Sequence, residues 1–209
     1  MRGRFSTYSF AGSNYQLYTP VTKDLQEAWM SGSLKDFPYW SKCWPSAIAL
    51  SDFIAKNQAL IQDKQVLELA AGLGLPSLVA ARFAKNVITS DYLSEPLSFV
   101  KISAAENNIT NIETRIINWH NQPSDLLVDI VLLSDVNYNP DDFETLDRLF
   151  SFFLQQHTLI ILSTPQRIMA RSFVEKWLPF KTMQEEFMLR EGEEEVWVSV
   201  LVLERRDRE

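Results

Sequence analysis

Glu68, Gly72, Gly74 and Asp91 form the spacing in this 209-residue chain that is most suggestive of chemistry. They lie in VLELAAGLGLPSLVAARFAKNVITSD, where a short apolar run (Val66, Leu67, Leu69) meets a turn of small residues, Ala70, Ala71, Gly72 and Gly74. Glycine lets the backbone take angles closed to other residues and leaves no side chain between the turn and a ligand. Pro76 suits the first turn of a helix, where its missing N–H would be unpaired anyway. That helix would point free amides at the same place. An acid about 20 residues beyond the start of such a turn grips a ribose diol in doubly wound sheets, and Asp91 holds that position. A nucleoside-containing ligand is the expectation.

Charge narrows the ligand. A dinucleotide site reads G-x-G-x-x-G, whereas the small positions here run Ala70, Gly72, Gly74, with Glu68 ahead of them. A carboxylate at that place repels a pyrophosphate but suits a ligand carrying an amino group and a sulfonium, as S-adenosylmethionine does. The stretch therefore reads as a methyl-donor site, and an NAD-dependent oxidoreductase is disfavoured.

The elements that must position these residues follow from periodicity. Val66–Leu69 and Val87–Thr89 read as strands around a helix from Leu78 to Phe83. Ser46–Ile54 and Glu95–Asn107 read as helices, and Ile112–Ile117 as a strand ending on Asn118 and Trp119. Asp129–Leu133 is apolar enough for a strand buried on both faces, and it runs into Ser134, Asp135, Val136, Asn137 and Tyr138. A helix over 140–155 has Asp141 and Asp142 in its first turn, favourable to its dipole. The strand 157–163 ends in Thr164–Arg167, and a helix follows to about Trp177. Thr182–Leu189 and Glu194–Leu203, the second alternating, read as an antiparallel hairpin. The expected fold is α/β: a Rossmann-like, mostly parallel sheet with a C-terminal antiparallel hairpin and helices on both faces. Residues 1–36, with spaced aromatics and a turn near Gly12–Asn14, read as an N-terminal arm carrying a short helix at 23–30; residues 37–209 form the main domain. The arm either packs on the sheet or covers the substrate mouth. Ligands of such sheets bind outside the carboxyl ends of the strands.

Composition excludes several classes. A net charge of −7 and a pI near 5.0 argue against a nucleic-acid binder that relies on a basic face. Cys43, the single cysteine, rules out a disulfide framework and a cysteine-rich zinc site. No histidine and carboxylate cluster has ligand spacing, so no metal is expected. There is no apolar run of roughly 18 residues to span a membrane, and MRGRFSTYSF does not read as a secretory signal. A cytoplasmic protein, monomeric by preference, is expected.

The order CWPSAIALSDFI, VLELAAGLGLPSLVAA, SDYLSE, SAAENN, NW, DIVLLSDVNY and STPQR, over roughly residues 37–167, resembles the seven-strand S-adenosylmethionine-dependent methyltransferases of the lysine methyltransferase branch, once labelled nicotinamide N-methyltransferase-like. The resemblance implies a seven-stranded sheet and S-adenosylmethionine as cofactor. It places Trp44 in the lining of the cofactor pocket and Glu68, Ala70, Gly72 and Gly74 in the first cofactor motif, with Ala70 standing where the family has its leading glycine. Asp91, followed by Tyr92, matches the ribose-binding acid. Asn118 and Trp119 fall where the family has Asp-Trp beside the adenine, and Ser134 precedes the Asp-x-x-Tyr motif, Asp135 and Tyr138, at the acceptor mouth.

Each assignment has a structural rival. Backbone amides could hold Glu68, Asp91 could cap the next turn, Trp119 and Tyr138 could be packing, and Asp135 could support its loop. The resemblance favours a protein lysine as methyl acceptor. A small-molecule amine and a cofactor-binding module without catalysis are the alternatives. Nucleic-acid amino methylation is disfavoured because Asp135–Tyr138 holds no internal prolines.

Overall fold

The computed structural model describes residues 2–33, 37–121 and 126–205. The boundary at residue 36 lies outside the described residues. Among the described residues nine strands form two sheets. β1 (Gly3–Phe10) and β2 (Ser13–Pro20) make an N-terminal antiparallel hairpin, followed by α1 (Thr22–Met30). The larger sheet contains β3 (Gln65–Leu69), β4 (Asn86–Asp91), β5 (Ile112–Ile116), β6 (Ile130–Ser134), β7 (Leu159–Pro165), β8 (Lys181–Glu191) and β9 (Glu194–Leu203). Its order is β5-β4-β3-β6-β7-β9-β8. The first five strands run parallel, and β9 enters antiparallel between β7 and the edge strand β8.

Alternation along the strands sorts the core into two layers. Val66, Val87, Leu132 and Ile161 face α2 (Pro45–Lys56), α4 (Leu75–Ala80) and α5 (Ser94–Glu106). Leu67, Leu69, Val131, Leu133 and Leu162 face α6 (Phe143–Gln155) and α7 (Arg171–Trp177). A four-residue helix, α3 (Gln58–Ile61), links α2 to β3. Helices on both faces bury the parallel strands completely, which is why those runs are apolar without alternation.

Several elements differ in extent from their sequence pattern. α4 ends at Ala80, short of Phe83. The segment 140–155 splits into a 3-10 turn, Pro140–Asp142, capped by the Asn139 side chain, and then α6. Capping by Asn139 fixes the start of the turn, and the tighter 3-10 winding absorbs the proline. The N-terminal hairpin does not lie on the sheet. It sits on the outer side of the helices, where Asn107 exchanges hydrogen bonds with the Gln16 backbone at 2.9 and 2.7 Å and the Ser103 hydroxyl accepts from the Tyr18 N–H. Tyr15 and Leu17 are buried in the same core as α2 and α4.

The chain winds outward from β3 through β4 to β5 on one side and from β6 to β7 on the other. The order therefore reverses between β3 and β6, and a crevice opens there at the carboxyl ends of the strands. Two chain segments leave the sheet at that place, one after β3 and one after β6.

Candidate active site

At the end of β3 the backbone turns left-handed three times, at Ala70 (φ +52°), Gly72 (φ +53°) and Gly74 (φ +68°). Gly74 also precedes α4 directly. A Cβ on it would sit 2.9 Å from Val100 and 3.3 Å from Thr89, so this glycine lets α5 and β4 close beneath the turn. A Cβ on Gly72 would meet the Trp40 backbone at 3.4 Å, which places the 37–44 segment over the turn.

Glu68 is fully buried. Its Oε2 accepts the Ser77 N–H at 2.9 Å and the Ser77 hydroxyl, so the amide that the sequence left free at the start of α4 is taken. Burial pushes the Glu68 carboxyl up to about 8, against the pull of the two Ser77 bonds. Asp91, also buried, accepts from Gly72 N–H at 3.0 Å through one oxygen and from Leu93 N–H at 3.1 Å through the other. Burial raises its pKa as well, and these amides oppose the rise. Both carboxylates thus make the local contacts of the structural reading while keeping further acceptor capacity, since each carboxylate offers about four lone-pair sites. Glu68 Oε1 is buried without a partner among the described residues. A fixed acid with one orphaned oxygen beneath a glycine turn fits an ammonium-bearing, nucleoside-containing ligand.

Beyond β5, Asn118 Oδ1 accepts the His120 N–H at 3.0 Å. Trp119 stacks on the His120 ring at 4.3 Å and packs half-buried against the α6 layer of the core. His120 Nε2 lies 2.9 Å from Asp142. Tyr92, half-exposed, follows Asp91.

The second segment leaves β6. Ser134 is half-buried, and Asp135 takes a left-handed backbone (φ +55°) with its N–H donated to Ser163 at 2.9 Å. Arg167 grips the Asp135 carboxylate with both guanidinium ends, one at 2.9 Å. This bond raises the Arg167 pKa further. Tyr138 is half-exposed, its hydroxyl pKa raised by burial and by Asp142. Its ring lies 6.0 Å from Tyr39. Tyr39 in turn lies 4.9 Å from Phe37, and Phe37 meets Trp29 of α1 edge-on at 5.3 Å. Trp44 donates its indole N–H to the Tyr39 carbonyl at 2.8 Å. A ladder of aromatic rings therefore reaches from the N-terminal helix to the mouth. A cavity of about 270 Å³, lined by Pro165, Arg167, Ile168, Ala170 and Val174, adjoins the ion pair through Arg167.

The structure gathers Glu68, Ala70, Gly72, Gly74 and Asp91 around one turn, and Ser134, Asp135 and Tyr138 with Trp44 around the neighbouring mouth. Asn118 and Trp119 follow β5, three strands away from β6. Arg167 and the Trp29–Phe37 pair escaped the sequence reading in these roles. Arg167 was within reach, because Ser134 pairs with Ser163 in the sheet register, which brings the residues after Ser163 beside Asp135. Among the described residues no cluster of metal-ligating side chains occurs, and no helix is long and apolar enough to cross a membrane.

A seven-stranded doubly wound sheet with an antiparallel hairpin at one edge, a glycine turn at its switch point and a ribose-type acid on the next strand is the sheet of Rossmann-like methyltransferases. Residues 33–188 match the family model described as lysine methyltransferase, and the chain belongs to that family. It is 34% identical over 124 residues to the histone-arginine methyltransferase METTL23 of Xenopus laevis, covering 56% of this chain and 53% of that protein. It is 26% identical to the protein N-lysine methyltransferase METTL21A of Xenopus tropicalis, over 59% of this chain and 60% of that one. The chain spans about half the length of the curated relatives it matches. Among solved structures, a T. thermophilus 16S rRNA N2 methyltransferase (RsmC) in complex with AdoMet and guanosine superposes with a TM-score of 0.65 at 12% identity, over 99% of this chain and 51% of that one. At that identity the likeness is one of fold.

Proposed function

We propose that this chain is an S-adenosylmethionine-dependent N-methyltransferase whose acceptor is a side-chain nitrogen of a protein, lysine in the first place. One observation carries the reading: the Ala70–Gly74 turn and the Asp135–Tyr138 segment leave adjacent parallel strands, with Leu69 paired to Leu133, so donor and acceptor meet in one crevice. S-adenosylmethionine supplies a methyl group on a sulfonium, already a good leaving group. The chain's task is to align the incoming nitrogen with that methyl carbon and keep water out. Glu68, Ala70, Gly72, Gly74, Asp91, Tyr92, Asn118, Trp119, Trp44 and Ser134 hold the donor; Asp135 and Tyr138 act on the acceptor.

A lysine amine must arrive neutral, although its free pKa is near 10.4. Half-buried rings of Tyr39 and Tyr138 lower that value by desolvation. A lone carboxylate would oppose them by favouring the ammonium. The Arg167 guanidinium on Asp135 cancels much of that opposition, leaving Asp135 to orient the nitrogen and take its proton afterwards. A second reading, arginine, is favoured by the METTL23 likeness and by an Asp135 carboxylate already shaped to a planar guanidinium. Family membership and protein-methylating relatives speak against the small-amine and non-catalytic alternatives. We take a cytoplasmic monomer as the working form; the free thiol of Cys43 is compatible with a reducing compartment.

The test is transfer of labelled methyl from S-adenosylmethionine to core histones and to cell extract proteins, followed by hydrolysis and amino-acid analysis. Methyllysine is the expected product. Methylarginine would move the reading to the second acceptor, and no label in any protein would sink both.

A further inference from the structure

The α7 layer stops short of the start of β9. Alternate residues of a strand share a face, and on this face β9 carries Leu203, Leu201, Ser199 and Trp197 in turn. Leu203 and Leu201 are buried in one cluster with Phe173 and Trp177 of α7. Ser199 lines the cavity of about 270 Å³, and beyond it Trp197 is half-exposed, paired in register with the half-exposed Met188 of β8. Ile168, which also lines the cavity, is 95% exposed, and its neighbour Met169 is half-exposed. Large apolar side chains gathered in the open mark an interaction site.

The polar groups around this cavity are already engaged. Glu186 accepts from Gln166 Nε2 at 2.7 Å and from the Ser199 hydroxyl at 2.9 Å, Arg171 pairs with Glu175, and Arg167 holds Asp135. What remains for a ligand is the apolar wall of Pro165, Ile168, Ala170 and Val174. A volume of about 270 Å³ lies below the roughly 300–1,000 Å³ of pockets that enclose a whole small molecule. It suits one large apolar side chain.

Strand order decides whose side chain that is. The order β5-β4-β3-β6-β7-β9-β8 puts the glycine turn, Asp91 and Trp119 at the ends of β3, β4 and β5, the Asp135–Tyr138 segment after β6, and the cavity after β7 beside β9. The cavity therefore lies on the acceptor side of the crevice, away from the donor. Arg167 spans the interval, lining the cavity and gripping Asp135. One arginine side chain covers the length of about two or three residues of extended chain, at ~3.3 Å each. The β8–β9 turn at the end of the same surface carries Glu191, Glu193, Glu194 and Glu195, a charge that complements a segment bearing lysine or arginine.

Resting on the protein-acceptor reading above, we propose that this cavity is a specificity subsite: it takes one large apolar side chain of the acceptor protein, about two or three residues along an extended segment from the methylated nitrogen.

Peptide libraries with a fixed central lysine or arginine, and each other position varied in turn, test this when methylated with labelled S-adenosylmethionine. The unsubstituted chain should prefer leucine, isoleucine, methionine or phenylalanine over serine by about tenfold at one position within about three residues of the centre. Ser199→Phe fills the cavity from β9, and Ile168→Ser removes part of its wall at a side chain too exposed to hold the fold, which keeps the test open should the phenylalanine variant not fold. Each should bring the preference below about threefold, with S-adenosylhomocysteine affinity by calorimetry unchanged within about twofold. No apolar preference at any position, or one that persists in either variant, overturns the proposal. Labelling of core histones or extract proteins but of neither library overturns it too, because the cavity would then read no extended segment. A dimer in sedimentation that Ile168→Ser dissociates would assign the surface to a second copy of the chain and overturn it equally. No label in any protein or peptide would instead remove the acceptor reading on which the subsite rests.

Discussion

Two strand ends lie side by side in this molecule and are built differently. β3 and β6 are parallel neighbours, and each is followed directly by a non-glycine residue in the left-handed region, Ala70 at φ +52° and Asp135 at φ +55°. Around the turn after β3 the acids, Glu68 of β3 and Asp91 of β4, are buried and held by backbone amides and by Ser77 of a short helix. After β6 the acid is held by the side chain of Arg167, and half-exposed rings surround it. Backbone contacts cannot rearrange without moving the sheet, whereas a side-chain ion pair can be exchanged for an incoming cation. Under the proposed function the donor end is thus fixed in advance, and the acceptor end is adjustable. A common donor and a variable protein acceptor would call for that division.

Crossing the two acids breaks the comparison most directly. Asp135→Ala should lower turnover about a thousandfold, the range of a lost proton acceptor and orienting group, while S-adenosylhomocysteine affinity stays within about twofold. Asp91→Ala should do the reverse, weakening S-adenosylhomocysteine at least about tenfold. Steady-state kinetics and calorimetry on both variants check this. A large affinity loss in the Asp135 variant would move that residue to the donor side.

Glu68→Gln probes the fixed end through pH. The folded carboxyl is raised from 4.5 to about 8 by burial. Its contribution is therefore fully present below about 4.5 and is lost as pH rises through about 8, because unfolding then releases a proton. Glutamine cannot ionise, so the variant should match the unsubstituted protein near pH 4.5 and gain on it progressively up to pH 8, by on the order of 4–5 kcal/mol. Urea unfolding at three pH values measures the difference, and a pH-independent difference would mean that Glu68 is ionised in the folded state.

The fixed end was the more legible of the two from sequence. Glycines, a helix-starting proline and an acid at a set distance are local signals, and the parallel strands and C-terminal hairpin followed from apolar runs and one alternating strand, though the order of the strands in the sheet did not. Local signals also blurred the outcome, since Glu68 and Asp91 satisfy the backbone contacts of their structural rivals. The adjustable end depends on contacts between residues far apart in the chain. Arg167 reaches Asp135 across 32 positions, and Trp29 reaches Phe37 through tertiary packing. Periodicity carries no information about such pairs. The placement of the hairpin on α5 was hidden for the same reason, because Asn107 reads as a helix breaker and acts as a bridge to the Gln16 backbone.

Ala70→Gly tests the backbone strain at the fixed end. A non-glycine residue in the left-handed region costs roughly 1–2 kcal/mol from Cβ contact with the following carbonyl, and the family resemblance puts a glycine at that position. Glycine relieves the strain but adds freedom to the unfolded chain, a loss of about 0.4–1 kcal/mol. The net expectation is a gain of about 0.5 kcal/mol in urea unfolding, with S-adenosylhomocysteine affinity unchanged. At Asp135 the same angle is better tolerated, because aspartate visits that region more readily than alanine, and Asp135→Asn should move stability by less than Ala70→Gly once the lost ion pair is screened by comparison with Arg167→Met. Should Ala70→Gly instead destabilise the protein, the left-handed angle at the end of β3 carries no steric cost, and Ala70 tolerates that region as well as Asp135 does.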